Sequence, residues 1–173
     1  VEYALKSLRI STKSYIPFLN NPNMKNAAEM SIAANLAGKA ISISKTTVPH
    51  AASYPFTSLF NISHGHAVSL FFEKFFNFNY KNLKSSETSF DLNKRFDLIF
   101  TQLEVNNINE FNLKISKIKK QAKLEDDLVK LNIDVKSNSE KIFKGINLLR
   151  LGNNPIKINK KDIYKIILND KIY

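Results

Sequence analysis

The 173-residue sequence has no cysteine and no tryptophan, only four glycines, and three arginines among its 26 cationic residues. Without cysteine there is no disulfide scaffold and no thiolate metal site, and a reducing cytoplasm is the expected location. So few glycines leave no glycine-rich phosphate loop, and no alternating strand pattern stands where such a loop would follow. No apolar run reaches the roughly 18–20 residues of a membrane-spanning helix, so no membrane association is expected. Repeats and low-complexity tracts are missing too. The first residues, Val1-Glu2-Tyr3, offer neither an initiator Met nor a basic-then-apolar leader, from which a processed product or a fragment is expected.

What is present is an ordinary globular composition, 43% hydrophobic and 24% charged, which excludes a disordered tail and suffices for a buried core. The net charge of +11 raises the question of a nucleic-acid partner. Its distribution argues against one. Residues 1–78 hold 7 of the cations and 3 of the acids, and residues 79–173 hold the other 19 and 12, so the excess is spread along the chain. Arginine, whose planar fork suits phosphates and base edges, is scarce (Arg9, Arg95, Arg150). Lysine-rich solvated faces explain the charge, and no nucleic acid is expected.

Hydrophobic spacing predicts an all-α protein. Residues 1–20 place Val1, Leu5, Leu8, Tyr15 and Leu19 near one face, closed by Pro17 and Asn20-Asn21-Pro22. A second helix over 24–44 is rich in alanine, with Met30, Ala33, Ala34, Ala37 and Ile41 as its stripe. Its small residues and Gly38 predict a central, buried helix with close backbone approach. Thr46 or Thr47 can cap a third helix whose first turn holds Val48-Pro49 and His50. Pro55 should bend it near Ser53-Tyr54. After a break at Asn61-Ile62-Ser63, a fourth helix runs from His64 to about Tyr80. Its cluster of Phe71, Phe72, Phe75, Phe76 and Phe78 reads as core. Further helices are expected at 91–104, 108–123, 125–131, 139–149 and 160–169, the last opened by an Asn159/Asp162 capping box. Ten of the eleven alanines lie at or before Ala67, so the later part should pack less tightly.

Chemistry concentrates in the only three histidines, His50, His64 and His66. His50 and His64 each fall in the first turn of a helix, where the partial positive charge disfavours imidazolium. Neutral imidazole is the form that binds a divalent metal. On spacing alone, two packed or capping histidines are the better reading. His66, two residues past His64, points roughly 200° away on a helix and suits a bridging or capping role.

The stretch from Asn26 to Leu70 resembles the iron-containing alcohol dehydrogenase family, within the dehydroquinate-synthase-like superfamily. It has the small-residue helix with Ala37-Gly38, the histidine-bearing helix from His50, an aromatic segment, and Ser63-His64-Gly65 in place of a Pro-His-Gly element. The end is similar too, with Asn154-Pro155 followed by Lys161-Asp162-Ile163. The resemblance implies the family's C-terminal helical metal-binding domain, a compact bundle over residues 1–173, with 1–80 as the metal-site helices and 81–173 as Lys-rich peripheral helices. It implies His50 and His64 as metal ligands, with Fe or Zn as the metal of the full-length family. Tyr54 stands where the family usually has a proton-relay histidine, which makes it a candidate catalytic residue. Two departures matter: Tyr54 replaces that histidine, and the remaining ligands, an Asp and usually a His, lie upstream of Val1 in the family, as does its NAD(P)-binding α/β domain. A fragment inactive by itself is therefore expected, with a separate or missing α/β domain as partner, a homodimer as a further expectation, and no cofactor of its own. The alternatives are a stand-alone helical interaction or oligomerisation module that has lost catalysis and, behind it, a basic nucleic-acid-binding module.

Overall fold

The computed structural model describes residues 1–168 and is all-helical, as the spacing predicts. The helices are α1 (Glu2–Asn20), α2 (Met24–Ser44), α3 (Val48–Phe60), α4 (His64–Lys81), α5 (Leu92–Leu103), α6 (Ile108–Gln121), α7 (Ser139–Gly145), α8 (Leu148–Leu151) and α9 (Lys160–Leu168). A short 3-10 turn covers Leu83–Ser85. Among the described residues there is no strand, only an isolated antiparallel bridge between Ser86 and Ile156. The chain forms two compact units, one from residues 1–45 and 93–123, the other from 46–92 and 124 onward.

In the first unit α1 packs on α2 through small and polar residues. Ser7, Ser14, Asn26 and Ala33 are the buried positions of the two helices. Ser7 Oγ donates to the Ala33 carbonyl at 2.7 Å, and Ser14 Oγ to Glu29 Oε2 at 2.6 Å. A hydroxyl that reaches a neighbouring helix's backbone requires close approach, as expected at Ala33. The rest of α2 corrects the expectation of a buried helix. Met24 is 88% exposed and Ile43 74%, and a Cβ built on Gly38 would meet nothing within 4 Å. In the same unit α5 and α6 share a small aromatic core, with Phe100 lying 6.3 Å from Phe96 and 6.2 Å from Phe111. Asn107 caps α6 by accepting from Asn109 N and Glu110 N, both at 3.0 Å.

The second unit holds the larger core. Phe56 of α3 packs at 4.5 Å and 59° against Phe71 of α4, which meets Phe75 at 6.5 Å. Val48, Ala51, Ala67, Ile142, Ile163 and Ile167 close around them. Of the α4 Phe cluster, Phe71 and Phe75 are core as expected, whereas Phe72, Phe76 and Phe78 are only half-buried. Two expected helices change. The 125–131 segment forms turns, because Asp127 Oδ1 takes the amides of Val129 (2.9 Å) and Lys130 (3.4 Å), which competes with helix. Left-handed backbone at Lys123 and Asn132 brackets it (φ 54° and 56°). The 139–149 helix divides into α7 and α8, because Ile146 is extended and Asn147 starts a new cap. The Asn159/Asp162 capping box is reciprocal, Asn159 N reaching Asp162 Oδ2 at 3.2 Å and Asp162 N reaching Asn159 Oδ1 at 3.0 Å. Position 169 of the last expected helix lies outside the described residues.

Candidate functional site

The site lies wholly in the second unit, and a proline assembles it. Pro55 sits inside α3 and has no N–H, so the Ala51 carbonyl one turn back loses its helical donor. The backbone N–H of Asn147 takes that place, donating to Ala51 O at 3.3 Å. Gly145 presses on the same proline: a Cβ there would lie 2.9 Å from Pro55 Cβ. The α7–α8 link is thereby seated on α3. Asn147 Oδ1 then accepts the Arg150 amide at 3.1 Å, which opens α8 and carries the Arg150 guanidinium to 5.7 Å above the Tyr54 ring. Arg150 also donates to Thr46 Oγ1, and Asn153 Nδ2 holds the Thr46 carbonyl at 3.2 Å.

His50 occupies the first turn of α3 and His64 the first position of α4, as their sequence context implied. Their ring centroids are 5.4 Å apart, at 61° to each other. Tyr54, one turn beyond His50, stacks on His64 at 5.4 Å and 24°. The three residues singled out in the sequence therefore form one cluster, with Arg150 on its far side.

Buried Ser53 links the His50 backbone to the His64 imidazole. Its hydroxyl donates to the His50 carbonyl at 2.9 Å, and its oxygen lies 3.4 Å from His64 Nδ1. A hydroxyl has one proton, and here the carbonyl takes it. The same oxygen then accepts from His64 Nδ1–H, which leaves the Nε2 lone pair as that ring's free donor atom. Burial pushes the His50 pKa down, with the nearby His64 and the Arg150 charge adding to the effect. Neutral His50 is what the helix terminus suggested, but burial is the larger cause.

This donor set fits two positions of a divalent-metal site and does not complete one. Among the described residues no group of three His, Cys, Asp or Glu side chains comes together, and a protein site ordinarily supplies at least three ligands. His66 stands apart: its Nε2–H donates to the Glu125 carbonyl at 2.5 Å, bridging α4 to the turn segment that follows residue 124. Ser53, Asn147 and the role of Arg150 escaped sequence reasoning. The one signal for Arg150 was the choice of arginine in a chain whose cations are nearly all lysine.

Residues 2–170 match the family model described as Fe-containing alcohol dehydrogenase family, C-terminal. Among solved structures, a histidine-to-alanine mutant of the archaeal halo-thermophilic Red Sea brine pool alcohol dehydrogenase ADH/D1 aligns with a TM-score of 0.82 at 18% identity, covering 96% of this chain and 43% of that one. The same archaeal enzyme bound to NZQ aligns with a TM-score of 0.75, again at 18% identity and with the same coverage. At that identity the likeness shows the fold. This chain spans less than half the length of those solved chains. No curated protein matches it.

Proposed function

The chain belongs to the iron-containing alcohol dehydrogenase family, as its C-terminal domain, and from that premise we propose that it forms the metal-holding side of an NAD(P)-linked alcohol dehydrogenase or aldehyde reductase. His50 and His64 would hold a divalent metal, Fe or Zn, through neutral imidazole. An α/β part, on the same or another polypeptide, would add the missing ligands and the nicotinamide site. The observation that carries this reading is the convergence of the two imidazoles at 5.4 Å, with the Ser53 hydroxyl oxygen 3.4 Å from His64 Nδ1.

Lewis-acid polarisation of a carbonyl or alcohol oxygen is the chemistry that a divalent metal supplies when bound there. The chain's own residues do the rest. Ser53 fixes the His64 ring and tautomer. Burial keeps His50 neutral and available as a donor. Tyr54, stacked on His64, offers a phenol that donates a hydrogen bond to a substrate oxygen beside the histidine pair. With two histidine ligands among the described residues, the 173-residue chain would depend on the α/β part for activity, and a cytoplasmic setting suits its cysteine-free sequence.

Activity in the presence of an α/β partner tests the proposal. The assay is NAD(P)-linked oxidation of short alcohols, with Fe(II) or Zn(II) added and removed. Activity should require metal and fall by about a hundredfold or more in His50→Ala and in His64→Ala, the scale seen when metal-site shells are broken. Full activity in either variant, or without metal, refutes it.

A further inference from the structure

Arg150 carries a charge that the fold holds in place and that no described carboxylate neutralises. One guanidinium N–H donates to Thr46 Oγ1, and among the described residues no carboxylate forms an ion pair with Arg150. A guanidinium presents five donors in a planar fork, so one neutral hydroxyl leaves most of the fork open. The Thr46 tether and the Tyr54 ring at 5.7 Å position the guanidinium, and the Asn147 cap fixes the backbone that carries it. Tyr54 in turn lies 5.4 Å from His64, so a single aromatic ring separates the guanidinium from the histidine pair. Tyr54 and His50, which lie near it, bring no negative charge. Lysine supplies nearly every other cation of this chain, and a lysine could not present a planar fork.

We propose that Arg150 is a specificity-determining residue that grips an oxyanion, a carboxylate or a phosphate-type group, at one end of a short substrate whose carbonyl or alcohol end lies at His50 and His64. This rests on the reading of the histidine pair as the reacting end of the site. A two-pronged contact from a fixed guanidinium supplies both energy and direction, since oxyanion and fork match in geometry. The Tyr54 ring between the two ends sets the substrate's length: a chain of a few atoms spans one ring, and a longer one would have to fold back.

The test is anion binding by the 173-residue chain at about pH 8, where imidazoles are neutral and cannot capture anions themselves. Acetate and inorganic phosphate are titrated separately against chloride at matched ionic strength. The readout is the NMR signals of the Arg150 Nε–H and the Tyr54 ring. The expected result is a saturable shift with one or both oxyanions that chloride does not give, and the stronger of the two names the group. Affinity should drop roughly tenfold or more in Arg150→Gln. Thr46→Val, which removes the tether and keeps the fork, should lose less. Melting curves of all three proteins show whether a loss comes from unfolding, and Thr46→Val keeps the question open to decision if Arg150→Gln melts early. No shift beyond chloride's in the folded wild type, or an equal shift in folded Arg150→Gln, overturns the proposal. Zn(II) uptake on the same samples separates the two readings. Loss of anion binding with histidine-dependent uptake intact removes the substrate class alone, whereas anion binding at Arg150 without metal uptake supports the anion site and counts against the metal reading.

Discussion

The alanine-rich α2 of the first unit and the shorter α3 of the second are both built from small residues, yet they do opposite things. Along α2 only Asn26 and Ala33 are buried. Along α3, Val48, Pro49, Ala51, Ala52, Ser53, Pro55 and Phe56 are all buried. The small side chains of α2 serve one line of contact with α1, where a hydroxyl meets a carbonyl. Those of α3 admit helices on several sides, and one of those sides holds the histidine pair. Composition alone does not set burial. What decides it is whether neighbours carry large apolar groups aimed at the helix, as Phe71 and Ile142 do for α3 and as nothing described does for most of α2.

The sharpest way to break this contrast is to empty each side. Phe71→Ala removes a fully buried ring from the second unit and should cost about 3–5 kcal/mol, read as a large fall in chemical-denaturation midpoint. Ile43→Ser on α2 should change stability by no more than about 0.5 kcal/mol. If Ile43→Ser destabilised comparably, α2 would have an apolar neighbour in solution.

The two glycines sharpen the comparison further. Gly145→Ala drives a Cβ to within 2.9 Å of the rigid Pro55 ring, and an overpacked seat of this kind costs roughly 1–3 kcal/mol. Because that seat delivers Arg150 to Tyr54, the Tyr54 ring signals should move as well. Gly38→Ala, with open space around it in mid-helix, should instead stabilise by up to about 1 kcal/mol. Equal effects of the two substitutions would mean that Pro55 is not where the α7–α8 link is seated.

The smallest effect belongs to the turn before α7. The Asp134 carboxylate accepts from Ser137 Oγ at 2.6 Å and Ser137 N at 3.0 Å, which lowers its pKa. A carboxyl lowered in the fold favours the folded state above its unfolded value, and that contribution fades as pH falls through the folded one. Asp134→Asn should therefore melt slightly earlier than wild type near neutrality, and the gap should close in acid. A gap that widens in acid would contradict the assignment.

Much of the fold was legible because helix ends announce themselves. Asn159/Asp162, Val48-Pro49 and the break at Asn61-Ile62-Ser63 each mark a local choice that the structure keeps. The pairing of His50, Tyr54 and His64 was legible only through family resemblance, since two histidines fourteen residues apart follow no local rule. The failures had non-local causes. The burial of α2 depends on what faces it, and the 125–131 segment loses its helix to side chains that capture its own amides. Arg150 reaches Tyr54 through the Ala51 carbonyl, which Pro55 leaves free and to which the Asn147 N–H donates, a connection ninety-six residues long in the chain that no sequence period records.

The central claim is that His50 and His64 are ligands of a metal site this chain only partly builds. Zn(II) titration calorimetry on the untagged 173-residue chain, beside the His50→Ala/His64→Ala double variant, tests it most directly. Two imidazoles without a third ligand should give one weak site that vanishes in the double variant. Uptake that is the same in both proteins would contradict the claim.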